Sequence, residues 1–476
     1  MDAVNQPFLV SSGSTPYLTF GQLDAWTDTL VGRLAERGVG PGEVVVADLP
    51  NSPAFVAVLR ATWRVGAVFA PLNPQLSARE KEVILNLSRP RVVVSATLPP
   101  VDVTTVLWRD PFDSPADIDL ISAAPMPESP VEEQDRLILF TSGSTGQPKA
   151  VALTEANVAL GIAAVADHFA LTSGDRTIAM LPWSHGHGLF ATLLATESVG
   201  CPVVLPTRAE AIQPHTLLAS TRPTWLTMVP PQLALLTSGL EATGIRPRDM
   251  RFLRTASAPL PLPLADRAEQ LLGCPVAEAL GLTETSHQAA ANPPTWDRVL
   301  GTVGRPTGME FRLVGEEVVG GKELHVRGAA LFSRYLGNPE ATTEAFTVDG
   351  WFRTRDVARW EQGEHLRLLG RLSEIVNRGG YKVSPIEVEA VLEEHPDVMA
   401  SLATGVPHPY LGHEVAAVVR LRDGSRATTR DILKHCRAHL ADYKVPGQIR
   451  MVEALPQLPN GKPSRRMAAR LFGAEQ

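Results

Sequence analysis

Three times within the first hundred residues, a stretch with helical spacing of apolar residues gives way to a short, unbroken β-branched run, and this alternation constrains the chain most. From Thr19 it reads TFGQLDAWTDTLVGRLAERGVGPGEVVVADLPNS. Leu23, Trp26, Leu30 and Leu34 share one helical face, Gly38 is a stop signal, and VVVAD has the character of a strand covered on both faces. PAFVAVLRATWRVGAVFAPLNP and KEVILNLSRPRVVVS repeat the scheme. A mostly parallel sheet covered by helices satisfies it, because parallel neighbours need a crossover and a helix supplies one. The expected fold class is α/β, with a large N-terminal domain of layered sheets and helices.

Toward the C-terminus the texture changes. LRLLGRLSEIVNRGGYKVSPIEVEAVLEEHPDVMA predicts a strand pair, a Gly-Gly turn and a helix, in which Ser384 caps, Pro385 takes the first helical position and Glu387 completes a capping box. The expected division is a large domain over 1–370, a hinge at 371–373, and a small mobile α+β domain over 374–476.

At 476 residues the chain exceeds one ordinary core, and a net charge of −7 offers no bulk attraction to nucleic acid or an anionic membrane. The three cysteines, Cys201, Cys274 and Cys436, lie far apart and suggest a reducing compartment. MDAVNQPFLV lacks the regions of a secretion signal, and the uncharged stretch from Thr177 to Thr196 contains Pro182, His185, Gly186 and His187, so no membrane span is expected. Of 44 basic residues only seven are lysine, the arginine bias of a GC-rich bacterial genome, and a cytoplasmic location is expected. Each remaining lysine draws interest, since a compact ammonium is what arginine cannot replace.

DRLILFTSGSTGQPKA, from Asp135, is an apolar strand followed by a loop in which Thr141, Ser142, Ser144 and Thr145 surround Gly143 and Gly146. Such a loop offers N–H groups and hydroxyls to phosphate oxygens, although taken alone it is more often an ordinary surface loop. A Walker loop needs lysine directly after the second glycine, whereas Lys149 comes three residues after Gly146. Further segments follow in order: PWSHGHGLF, EALGLTETSHQ, GWFRTRD, GRLSEIVNRGGYKVSPIEVE and LPNGKPSRR. Together, over essentially the whole chain, they resemble the adenylate-forming acyl-CoA synthetase family.

The resemblance implies activation of a carboxylate by ATP to an acyl-adenylate, release of pyrophosphate, and displacement of AMP by a thiol. Positioning and electrostatics supply that catalysis, and no protein nucleophile is needed. By the same resemblance, Thr141 to Lys149 cradle the β- and γ-phosphates, Gly281 is among the residues that bind ATP and AMP, Thr283 contacts the α-phosphate, Glu284 holds Mg2+, and Asp356 receives the ribose hydroxyls with Arg371 beside it. Without the surrounding match, Thr283-Glu284 reads as a helix cap and GWFRTRD as a turn with a surface ion pair. Lys462 matches the lysine that bridges carboxylate and α-phosphate; unit charges about 4 Å apart at an effective dielectric near 20 interact by roughly 4 kcal/mol, about three decades in rate. Gly379, Gly380 and Lys382 match the segment that admits the pantetheine of CoA, and Ser373 stands at the pivot. Leu280 stands where the family has an aromatic residue on the adenine, so about 1 kcal/mol of stacking is expected to be lost.

For the acid, the resemblance is closest to the oxalate:CoA ligase branch, on RTASAPLP and LTETSHQAAANPP. It implies a pocket with His185, Arg254, Ser257, His287 and Gln288, in which a guanidinium meets a second anionic or polar end of a short acid. Against this stands a reading in which Arg254 points outward from a strand end and His287 only supports its loop. The His185-x-His187 pair lacks the further ligands zinc would need. ATP, Mg2+ and CoA are the expected cofactors and a small acid the partner. A carrier-protein or amine acceptor, activation of an oxyanion such as nitrite, and a non-catalytic nucleotide-binding role remain as alternatives.

Overall fold

Thr19 caps the helix Phe20–Ala35 through a reciprocal box with Gln22, and Leu23, Thr27, Leu30 and Leu34 form its fully buried face. Thr27 takes the place expected for Trp26, which is only partly buried, because the i, i+4, i+7, i+11 series defines the inward stripe. The helices Pro53–Arg64 and Ala78–Ser88 follow, each with a serine cap, and deliver the strands Val68–Pro71 and Val92–Ser95 beside Val44–Asp48. All residues of these three strands are buried, as parallel strands under helices must be. Each fully buried valine contributes roughly 2 kcal/mol.

The computed structural model describes residues 3–115, 118–121, 129–142, 148–457 and 463–474. Among the described residues, the largest sheet runs Arg334–Tyr335, Pro148–Thr154, Asp135–Ser142, Val68–Pro71, Val44–Asp48, Val92–Ser95, Thr105–Leu107 and Asp119–Ile121. Its centre is parallel, while Asp135–Ser142 and Pro148–Thr154 form an antiparallel pair in which Thr141 faces Lys149. A second sheet orders Trp225–Met228, Phe252–Ala256, Val276–Leu282, His287–Ala291 and Arg305–Pro306, with the first three parallel. A third, antiparallel sheet contains Glu310–Val318, Gly321–Arg327, Phe352–Glu361 and His365–Arg371. Leu139, Leu280 and Phe352, one from each sheet, belong to a single apolar core, so the three sheets converge.

Residues beyond Ile375 build a separate sheet, around Val398–His408 and Gly412–Leu421, with its own core of Val376, Val388, Val415 and Ile432. The Gly-Gly turn is present between Val376–Arg378 and Tyr381–Val383, with φ of 58° at Gly379 and 94° at Gly380. The capping box is only half formed. Ser384 accepts from the Glu387 N–H, but the Glu387 carboxylate is engaged by the Lys444 ammonium, a stronger partner than a neutral N–H. No helix among the described residues is long and apolar enough to cross a membrane.

Candidate active site

The nucleotide motifs meet at the edge where the first and third sheets approach. Thr141 and Lys149 stand opposite each other, and the Lys149 Nζ lies 4.6 Å from the centre of the Tyr335 ring. Tyr335, on the neighbouring edge strand, donates its hydroxyl to Glu284 Oε1 at 2.8 Å; burial, and then the Glu284 charge, raise its pKa. Thr283 and Glu284 open a short 3-10 turn, and the Glu284 carbonyl accepts from the Phe332 N–H at 2.8 Å. The carboxylate is thus held at Oε1, and as a carboxylate it fits a hard cation.

Asp356 faces Arg371 across adjacent strands, with Nε 3.1 Å from Oδ1. This is no surface ion pair on the acid's side: Asp356 is 5% exposed. Burial pushes its carboxyl up to about 6 against the pull of Arg371, with Glu374 and Glu284 adding to the rise. Arg355, immediately before it, has φ of 64°, a costly backbone for a residue with a side chain.

The acyl motifs converge on Arg254. It lies in the middle of Phe252–Ala256 with no exposure, which overturns the outward-pointing alternative. Its Nε donates to Gln288 Oε1 at 3.2 Å, Nη1 to His187 Nε2 at 2.7 Å and Thr227 Oγ1 at 3.2 Å, and Nη2 to His287 Nε2 at 3.0 Å. A guanidinium cannot accept, so both imidazoles must present a bare Nε2 and are neutral; His187 then donates through Nδ1 to Ser257 Oγ, 3.0 Å away. The cluster therefore holds one positive charge, with no carboxylate partner for Arg254 among the described residues. Burial pulls its pKa down to about 9, still cationic at neutral pH. Four of the five N–H donors are engaged, leaving one on Nη2.

Backbone strain gathers on the same wall: Ser257, Ser286 and His287 have φ of 75°, 50° and 82°. Gly281 is required by close approach, since a Cβ there would stand 2.2 Å from the His287 carbonyl oxygen. The nucleotide motif and the acyl wall are thus in direct contact. Leu280, 6% exposed and paired with Ala290, is a core residue first.

His185 is half-buried ahead of the π-helical turn His187–Leu194, while His187 carries the contact to Arg254. His187, Thr227 and Tyr335 are site residues that the motifs did not assign. The His-x-His spacing was a signal for the first; Thr227 and Tyr335 lie in plain strand sequence. Gln288 is buried, its amide donating to the Ala164 carbonyl. Lys382 is exposed beside the Gly379-Gly380 turn, whereas its neighbour Arg378 is spent on the Asp442 carbonyl and Glu414. Gly143, Ser144, Thr145, Gly146 and Lys462 lie outside the described residues, as does the Ser142 side chain.

Residues 2–336 match the family described as AMP-binding enzyme, and residues 387–462 match the AMP-binding enzyme C-terminal domain. The chain is 34% identical over 488 residues to the oxalate–CoA ligase of Arabidopsis thaliana, covering 96% of this chain and 93% of that protein. It is 33% identical over 483 residues to the sulfoacetate–CoA ligase of Cupriavidus necator, covering 97% and 94%. Among solved structures, ATP-bound MatB from Rhodopseudomonas palustris superposes with a TM-score of 0.85 at 26% identity, covering 99% of this chain and 97% of that one.

Proposed function

The chain belongs to the family of AMP-binding enzymes and is an AMP-forming ligase that uses ATP, Mg2+ and CoA; we propose that its acid is short and carries a second anionic group. Arg254 carries this reading. A wholly buried guanidinium among neutral partners holds an uncompensated charge, which is costly unless a ligand anion completes it. Oxalate and sulfoacetate, on which the two relatives act, are short acids of this kind. The neutral imidazoles keep the pocket at a single positive charge, matched to one remote carboxylate or sulfonate. They also place hydrogen-bonding groups that an apolar acyl tail would leave unsatisfied.

In the first half-reaction the reacting carboxylate oxygen attacks the α-phosphorus, forming the acyl–phosphate bond as the bond to pyrophosphate breaks. Thr141 and Lys149 flank the loop for the β- and γ-phosphates, Thr283 lies toward the α-phosphate, and Asp356 with Arg371 takes the ribose. Lys462 bridges the carboxylate and the α-phosphate. Glu284, steadied by Tyr335, would hold Mg2+, which neutralises charge developing on the phosphates when bound. In the second half-reaction the CoA thiolate attacks the acyl carbon and AMP leaves, with Gly379, Gly380 and Lys382 beside the pantetheine and Ser373 at the pivot between domains 1–370 and 374–476. A bacterial cytoplasm is the setting we assign. The CoA ligases among its relatives do not favour the carrier-protein, amine, nitrite or non-catalytic alternatives.

The test is pyrophosphate release with ATP and Mg2+ across oxalate, malonate, sulfoacetate, acetate, benzoate and nitrite, each with and without CoA. Release with a short acid bearing a second anion, raised by CoA, is expected. Release confined to acetate, benzoate or nitrite would overturn the substrate assignment.

A further inference from the structure

Gln288 lies on His287–Ala291, two strands from Arg254 in the second sheet, and is wholly buried. Between them runs Val276–Leu282, whose Ala277 pairs with Arg254 and whose Gly281 pairs with Gln288. Ala277 and Ala279 leave room above that middle strand, and the arginine crosses it to donate through Nε to Gln288 Oε1 at 3.2 Å. The amide cannot turn round. Its Nε2 donates to the Ala164 carbonyl at 2.6 Å, and a carbonyl only accepts, so the amide nitrogen must lie on that side and the oxygen on the side of Arg254. Ala164 belongs to the helix Glu155–Ala166, which ties the amide to a second element.

The surroundings are apolar. Phe252 and Ala256, on the same face of the strand as Arg254, join Ala277, Ala279, Val165 and Phe169 in one core cluster, and the guanidinium carbon lies 6.0 Å from the centre of the Phe169 ring. Every hydrogen-bond partner of Arg254 among the described residues is uncharged: Gln288, His187, Thr227 and His287. Of these only Gln288 has an acidic residue of its own shape. A glutamate there would meet the same Nε and cancel the charge in place, whereas the amide orients the guanidinium and leaves its charge standing.

We propose that Gln288 is a positioning residue that sets the acid specificity: its amide holds the Nε edge of Arg254 and, being neutral, leaves the positive charge for the second anion of the acid. Both ends of the amide are engaged by protein groups, so Gln288 acts through Arg254 and not by touching the acid. This rests on the reading of Arg254 given above.

The experiment measures kcat/KM for pyrophosphate release by the full chain with malonate and with propionate at mildly alkaline pH, together with the KM for ATP and the melting temperature. Gln288→Glu sets a carboxylate at Arg254 Nε, and the preference for malonate, about 100-fold in the wild type, is expected to fall below about tenfold. Gln288→Met fills the same space without either hydrogen bond. It is expected to lower kcat/KM for malonate about tenfold, mainly through KM, and to keep a preference for malonate, because the charge remains. Both variants should hold the KM for ATP within about threefold of wild type. In Gln288→Glu one carboxylate oxygen faces the Ala164 carbonyl; where the melting temperature shows that this variant does not fold, Gln288→Met decides. A Gln288→Glu variant that folds and keeps the wild-type preference, or a Gln288→Met variant as efficient with malonate as the wild type, would overturn the proposal. A wild type that takes malonate and propionate equally would instead overturn the reading of Arg254 on which it rests.

Discussion

Arg371 and Arg254 carry the same guanidinium into the candidate active site, and the protein treats them in opposite ways. Arg371 has a carboxylate beside it, is half exposed, and has its pKa raised, first by Asp356. Arg254 has no exposure, neutral partners and a pKa pulled down to about 9 by burial. A charge that the protein has already paired orders a neighbour, here Asp356, the acceptor proposed for the ribose. A buried charge with no carboxylate partner among the described residues is, in the function proposed here, the one that a ligand anion completes.

The contrast breaks most visibly at Arg254. Removing one member of a buried ion pair costs about 3–5 kcal/mol, so Arg254→Met should lower kcat/KM for the second-anion acid several hundredfold or more. The KM for ATP should stay within about threefold, because the nucleotide side keeps its own charges. Asp356→Asn should do the reverse. Losing a charged acceptor for the ribose, worth about 1.5–3 kcal/mol, should raise the KM for ATP at least tenfold without altering acid selectivity. In the wild type that KM should rise as the pH falls through about 6, where Asp356 gains its proton, and Asp356→Asn should flatten the profile.

The same group gives a sign for stability. A carboxyl at about 6 in the native state and about 3.9 unfolded favours the native state below about pH 4, and the benefit is lost as pH rises through about 6. Tyr335→Phe sharpens the nucleotide side further. It releases Glu284 Oε1 and should raise the Mg2+ concentration for half-maximal rate about tenfold, read by titrating Mg2+ at fixed ATP. The smallest effect should be thermal: Arg254→Met should melt no lower than wild type in the absence of ligand, because an uncompensated buried charge is removed. A clear fall in melting temperature would mean that Arg254 is structural.

Much of this was legible in the sequence, and the limits have physical causes. VVVAD gave its strand because a strand buried on both faces needs no alternation to reveal it. FLRTA did not reveal that Arg254 points inward, since strand periodicity in a mixed run leaves the face open and burial depends on what the second sheet packs against. His187 carried its own hint in the His-x-His spacing, but its meaning required Arg254 to be placed opposite it. Tyr335 lies far from Glu284 in sequence, and only the edge pairing of Arg334–Tyr335 with Pro148–Thr154 brings it near Lys149. Glu387 misled because a capping box competes with any cation the tertiary fold delivers, here Lys444.

The most direct test compares malonate with propionate, acids of equal carbon count differing in the second carboxylate, as kcat/KM for pyrophosphate release by wild type and Arg254→Met. A wild-type preference for malonate of about 100-fold or more, collapsing toward unity in the variant, is the predicted result. A wild-type ratio near one, or a preference that survives loss of the guanidinium, would contradict the account of Arg254 as the unpaired charge that selects the acid.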